Sequence, residues 1–233
     1  MLELLSFGKS GWGDELLSGL ATTMALAVLA FGVGLVCGLL LMLFRRRGTM
    51  ARYITVSYVT AFRGVPELLV LYLFFFGTGT VIQSVASSLG YTPRINLSGF
   101  ALGVFALAVI ATAYAAEAFR GAASSIPKGQ LEAADAYGFG PVKRFTLIEL
   151  PQLLRVALPA MGNIWLVMLK DTALVSMTAV AELMRQASVA AGATHRPFTF
   201  YAVAALIYLC VSFLSERLFK RAEARFALKE ASA

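Results

Sequence analysis

The sequence predicts an all-α polytopic membrane protein with five transmembrane helices, an external N-terminus and a cytoplasmic C-terminus. Of the 233 residues, 59% are hydrophobic and only 14% are charged, whereas soluble domains carry about 25% charged residues. The apolar residues gather in five runs of bilayer-spanning length, which is about 20 residues for a helix. Lys and Arg concentrate in the connections that would lie on one side of the membrane, and this sets the orientation of the spans.

The boundaries of the spans follow from the apolar runs. The first, third and fifth runs contain no charged residue, and the second and fourth contain two each. The predicted spans are residues 16–44, 53–82, 95–116, 156–181 and 198–215. Two connections are long enough to contain a half-helix or an additional interfacial helix, namely 83–94 and 182–197.

The basic residues orient the five spans. Fourteen Lys and Arg residues lie in segments 45–52, 120–155 and 217–229, against four in the opposite set of connections. The start of the chain lacks the basic character of a signal peptide, so the first run is expected to remain a span. The positive-inside rule then gives an external segment 1–15, a transmembrane domain 16–217 and a cytoplasmic tail 218–233.

No metal site, cofactor or catalytic site is predicted. His195 is the single histidine, which excludes an H-E-x-x-H zinc site, and the sequence has no G-x-S-x-G nucleophile elbow. Cys37 and Cys210 lie within apolar runs, where buried free thiols are expected. A G-x4-G-K-[ST] phosphate loop is also lacking, so ATP binding by this chain is not expected.

The longest cytoplasmic connection, residues 119–155, contains the polar stretch EAADAYGFGPVKRFTLIELP. Its pattern predicts two short helices around a turn, with Ser124 or Ser125 capping the first and Pro127 in its first turn. Gly138 is expected to end that helix in the left-handed conformation, and Pro151 to end the second helix. Such a reversing element presents a compact protrusion to the cytosol.

The spacing inside this stretch resembles the EAA motif of ABC importer permeases. That motif reads E-A-A, three residues, G, nine residues, I-x-L-P. Two further stretches resemble the polar amino-acid uptake subfamily, FRGVPELLVLYLFFFG at 62–77 and LKDTAL at 169–174, and the resemblance covers about residues 16–217. The matching motif positions are Glu132, Ala133, Ala134, Gly138, Ile148, Leu150 and Pro151.

The resemblance implies a permease of the bacterial inner membrane that takes up polar or basic amino acids or opines such as octopine and nopaline. It implies a paralogous permease as partner, with a homodimer as the alternative, two copies of a separate ATPase, and an external substrate-binding protein. Residues 127–151 would be the coupling element that fits the ATPase. A secondary transporter or channel subunit is the alternative function, which the lack of an internal repeat disfavours.

Four ionisable residues are embedded in the predicted spans, at a cost of at least about 2.5 kcal/mol each, so they are expected to face a cavity or one another. Gly64 and Pro66 break the helix next to Arg63 and Glu67, and a broken helix at membrane depth is tolerated where it lines a cavity. Asp171 is the best candidate to bind a cationic substrate, or else is a structural ion-pair partner. The candidate substrate path comprises Asp171, Glu67, Lys170, Thr172 and Arg63.

Overall fold

The computed structural model describes residues 3–8, 11–89, 98–178 and 180–226, and within them the chain is all-helical apart from turns and connections. A short 3-10 turn at Glu3–Leu5 precedes eight longer helices. These are α1 (Gly13–Arg45), α2 (Thr49–Gly64), α3 (Glu67–Ser88), α4 (Gly99–Ser124), α5 (Lys128–Ala136), α6 (Pro141–Thr178), α7 (Leu183–Thr194) and α8 (Pro197–Phe226).

Five of these helices, α1, α3, α4, α6 and α8, are long and apolar enough to cross a membrane. The predicted all-α fold with five spans is therefore confirmed. Most of the helices extend beyond the apolar runs, because charged and polar residues at each end continue the helix outside the hydrocarbon layer. The predictions for residues 90–97 and 227–233 lie outside the described residues.

The predicted break of the second span, 53–82, at Gly64 and Pro66 is confirmed, so this span is two helices. Helix α2 ends at Gly64, Val65 is extended, and α3 begins at Glu67 directly after Pro66. The break follows from proline, which cannot continue the hydrogen-bonding of a preceding helix and favours an extended residue before it. Helix α2 still packs on α1 and α4, so the break lies beside the helical core.

The connection between α4 and α6 is shorter than the predicted 119–155. Helix α4 runs on to Ser124, and the second short helix of the prediction is the beginning of α6. The expectation that Pro151 ends a helix is wrong, because a π-helical turn at Phe145–Glu149 widens the backbone just before it and α6 continues. Ser124 and Ser125 donate back to carbonyls of α4 instead of capping α5.

The core is built around the close approach of α1 and α4. A Cβ atom placed on Gly38 would lie 2.6 Å from Ala115 Cβ, and Gly34 meets Ala111 in the same way one turn earlier. Small residues at such spacing let membrane helices pack backbone to backbone. Cys37 of α1 and Cys210 of α8, which were predicted to be buried, are both exposed, because span helices also present apolar side chains outward.

Helix α7 occupies the connection 182–197, where an additional helix was one of the expected possibilities. It packs between α1 and α8. Leu16 of α1, Leu183 of α7 and Phe200 of α8 are buried together there. This cluster closes the end of the bundle opposite to α5.

Candidate functional site

Helix α5 contains the E-A-A residues and ends in a fixed turn. Tyr137 follows the helix, and Gly138 has φ +77°, the left-handed region that glycine adopts without strain. The Gly138 N–H donates to the Asp135 carbonyl and the Phe139 N–H to the Ala134 carbonyl, both at 3.0 Å. These two bonds form a Schellman motif. The chain therefore leaves α5 in one defined direction.

A cavity of about 430 Å³ lies between α5 and the start of α6. Four of the seven motif residues line it, two from each side, and Tyr137 at its rim is 85% exposed. Of the other three motif residues, Glu132 is exposed, Gly138 makes the turn and Leu150 packs on the core. The motif residues in the lining are Ala133, Ala134, Ile148 and Pro151.

Two ion pairs hold this end of the molecule. Asp135 Oδ2 accepts a hydrogen bond of 2.6 Å from Arg144 Nη1, which ties α5 to the first turn of α6. Arg46, just after α1, makes a bidentate pair with Glu149, whose Oε2 lies 3.0 Å from Nη1. Glu149 is only 3% exposed and is the unspecified residue of I-x-L-P. Sequence reasoning missed both acids, because neither occupies a defined motif position.

The helix break places two of the predicted path residues around Tyr114 of α4. The Arg63 guanidinium lies 5.4 Å from the centroid of the Tyr114 ring, within the range of a cation–π contact. The Tyr114 hydroxyl donates to Glu67 Oε1 at 3.2 Å. Arg63 and Glu67 make no ion pair with each other, so Tyr114, which sequence reasoning did not single out, connects them.

Asp171 lies at the far end of α6 and interacts electrostatically with Glu67 and Tyr114. Its Oδ2 is buried and has no hydrogen-bond partner among the described residues. Lys170 is exposed, and its charge also acts on Asp171. Thr172 is fully buried, and its hydroxyl donates to the Leu169 carbonyl at 2.6 Å. The structure thus brings Arg63, Glu67 and Asp171 together around Tyr114, with the exposed Lys170 beside Asp171, and leaves Thr172 bonded to its own helix.

Glu182, between α6 and α7, is a fully buried acid, and both of its carboxylate oxygens accept hydrogen bonds. It caps α7 by accepting from the N–H groups of Met184 and Arg185 at 2.9 and 2.6 Å. Its Oε2 also accepts from Tyr208 of α8 at 3.1 Å, and Thr23 of α1 lies 3.4 Å away. Burial raises the pKa of Glu182 above its ordinary value, although the two backbone hydrogen bonds act against it.

The molecule therefore has a rigid, ion-paired protrusion at one end and a partly buried, unpaired carboxylate deep between its helices. The first arrangement is suited to docking another protein, since few torsions remain to be ordered on binding. The second is suited to binding a cation, because a buried oxygen without a partner is costly until a donor reaches it.

The sequence and the fold are both similar to those of known proteins. Residues 30–228 match the family described as binding-protein-dependent transport system inner membrane component. The octopine transport system permease protein of Rhizobium radiobacter is 44% identical over 96% of this chain and 94% of its own length. The nopaline transport system permease protein of Agrobacterium fabrum is 42% identical over 95% of both. The crystal structure of an amino acid ABC transporter with histidines is similar with a TM-score of 0.78, at 32% identity over 92% of this chain and 95% of that one.

Proposed function

The chain belongs to the family of binding-protein-dependent transport system inner membrane components, and from this we propose that it is the permease of an ABC importer for amino acids or opines that carry a cationic group. Residues 16–217 form the transport domain, and residues 127–151 form the coupling segment. A binding protein delivers the substrate, and a separate ATPase supplies the energy, since the sequence has no phosphate loop.

The coupling segment docks the ATPase. This assignment is supported by the cavity between α5 and α6, which has the exposed side chains of Tyr137 and Leu147 in its lining. Val142, in the first turn of α6, is exposed as well. Aromatic and apolar groups around a preformed depression are typical anchors of a protein interface. ATP hydrolysis can drive the permease only if the ATPase contacts this segment differently in its two states.

The permease pairs with a paralogous permease. One chain carries a single coupling segment, whereas the proposed mechanism uses two ATPase copies that act on facing permeases. Co-expression with affinity capture of this chain is expected to recover a second, different permease at equal stoichiometry. Recovery of two copies of this chain supports the homodimer instead, and recovery of a lone permease with the ATPase contradicts any pairing.

The substrate's cationic group binds at Asp171. The observation that carries this assignment is the buried Oδ2 without a partner, which a guanidinium or ammonium group satisfies with a charge-assisted hydrogen bond. Glu67 lies close by and adds negative charge, while Arg63 is available for a substrate carboxylate. The relatives named for octopine and nopaline support a ligand that carries both kinds of group.

Asp171→Asn tests this assignment, because it preserves shape and removes the charge. In proteoliposomes containing the whole transporter, uptake of arginine or an opine is expected to fall by about tenfold or more, while uptake of neutral polar amino acids changes little. Glu216→Gln, at an exposed acid on α8, is the matched control and should leave uptake unchanged. Equal loss for all substrates would show that Asp171 is a structural residue and not a ligand for the cation.

A further inference from the structure

A second charged cavity lies at the cytoplasmic ends of α1 and α4 and the start of α2. It has a volume of about 350 Å³ and is lined by four guanidinium groups together with Met42 and Ser124. We call it the arginine cavity, and its basic residues are Arg45, Arg46, Arg52 and Arg120. Apart from the pair of Arg46 with Glu149, nothing in the coupling or substrate path described above uses it.

The carboxylates around this cavity neutralise only half of its charge. Arg46 is paired with Glu149, and Arg120 donates to Glu117 at 2.9 and 2.6 Å. Arg45 and Arg52 have no ion pair within the described parts of the chain. The four guanidinium groups therefore keep a net excess of two positive charges over the two carboxylates, even though Glu117 also interacts electrostatically with Arg45. This excess is complementary to a phosphate-bearing anion.

The surroundings of the arginine cavity are those of a membrane surface. The basic residues of this end place it on the cytoplasmic side. On α1 and α2, next to Arg45 and Arg52, the side chains of Phe44, Tyr53 and Ile54 are exposed, and Tyr53 is 68% exposed. Apolar side chains that face outward beside a basic cavity suit a ligand with a charged head and apolar chains.

We propose that the arginine cavity binds the phosphate headgroup of an anionic phospholipid of the cytoplasmic leaflet. Basic cavities between transmembrane helices on this side of a membrane are suited to such headgroups, and each nearby Arg adds to the attraction. The acyl chains lie along the exposed apolar face of α1 and α2. Because Arg46 also holds Glu149 in the π turn of α6, the bound lipid braces the end of the molecule that carries the coupling segment.

The test uses the whole transporter in lipid nanodiscs and native mass spectrometry to count bound lipid. Phosphatidylglycerol is offered against phosphatidylcholine, which has the same chains and no net charge. Arg45→Gln combined with Arg52→Gln is expected to weaken phosphatidylglycerol binding by about tenfold. Arg47→Gln, at an exposed arginine outside the cavity, is the matched control and should change nothing.

Variants that conserve charge distinguish a loss of lipid binding from a folding defect. Arg45→Lys with Arg52→Lys is expected to retain phosphatidylglycerol, since a lysine supplies the same charge near the surface. Unchanged lipid binding in the Gln variant would overturn the proposal. Binding of inorganic phosphate that phosphatidylglycerol fails to displace would overturn it in favour of a soluble anion. Loss of ATPase affinity with an unchanged lipid count would overturn it in favour of a protein contact.

Discussion

Helix α6 carries one acidic residue toward each end, the buried Glu149 and the partly buried Asp171, and the two differ in their partners. Glu149, in the π turn near the start, is 3% exposed and meets the Arg46 guanidinium with both oxygens. Asp171, 22 residues further along, keeps one buried oxygen with no partner among the described residues. The same helix thus carries one carboxylate whose two oxygens both have a partner and one carboxylate with an oxygen that has none among the described residues.

Under the proposed function, this difference separates a group that holds the fold in shape from a group that binds the substrate. A buried charge whose hydrogen bonds are complete is stable only in one arrangement, so it fixes the surrounding backbone. An unpartnered oxygen instead stores a cost that a bound cation can remove. We therefore expect substitutions at the Arg46–Glu149 pair to change stability, and substitutions at Asp171 to change transport.

The largest expected effect is at the ion pair. Arg46→Met leaves Glu149 buried without its cation, which is expected to lower the free energy of unfolding by about 2 kcal/mol. The loss is smaller than for a fully buried pair because the Arg46 side chain is 42% exposed. Thermal unfolding of the solubilised transporter measures this loss. The double variant Arg46→Met with Glu149→Leu should recover most of it, because an apolar pair can replace a buried ion pair. Asp171→Asn is the comparison and should change the free energy of unfolding little. A large loss of stability in that variant would show that Asp171, like Glu149, holds the fold together.

The next effect concerns the turn after α5. Gly138→Val forces a β-branched residue into positive φ, which costs about 1–2 kcal/mol and favours a different exit from the helix. We expect ATPase co-purification and substrate-stimulated ATP hydrolysis to fall while the permease still inserts. Gly140→Ala is the control, because Gly140 has φ −66° and open space around it. Equal behaviour of the two variants would remove the special role of Gly138.

Glu182 provides a third buried acid, satisfied by hydrogen bonds and not by a cation. Because its pKa in the folded protein is raised, its contribution to stability is full below the ordinary value of 4.5 and is lost as pH rises through the raised value. The slope is at most about 1.4 kcal/mol per pH unit. Unfolding temperatures from about pH 4 to about pH 8 should show this slope in the wild type and a shallower one in Glu182→Gln. Parallel curves would assign the titration to another group.

The smallest effect is expected at Asp135 and Arg144. Both side chains are partly exposed, so this ion pair contributes about 0–1 kcal/mol in spite of its 2.6 Å contact. Asp135→Asn should therefore leave the unfolding temperature almost unchanged in salt and lower it slightly without salt. A loss as large as that of Arg46→Met would show that the protrusion depends on this pair and not on Gly138.

Much of the architecture was predictable from local chemistry. The break at Gly64–Pro66 and the left-handed Gly138 follow from the backbone properties of the residues themselves. The continuity of α6 through Pro151 was not predictable in this way, because it depends on the π turn that precedes the proline.

The pairing of distant residues also escaped sequence reasoning. Arg46 and Glu149 are 103 residues apart, and fourteen basic residues on the same side were equally eligible partners. In the sequence, nothing distinguishes Tyr114 from the other aromatic residues of the apolar spans. Its role depends on the fold, which places it between Arg63 and Glu67. The ligand role of Asp171 remains a proposal, although its placement beside Glu67 now supports it.

The course of α6, which continues through the π turn at Phe145–Glu149, has a mechanical consequence. At about 1.5 Å per residue, the Arg46–Glu149 pair divides the helix into an arm of about 12 Å toward Pro141 and an arm of about 33 Å toward Asp171. If the two arms turn as one body about this pair as a fulcrum, a displacement at Pro141 becomes nearly three times larger at Asp171. A small push by the ATPase on the short arm would then move the carboxylate by several times that distance, and only the position of the fulcrum sets the gain.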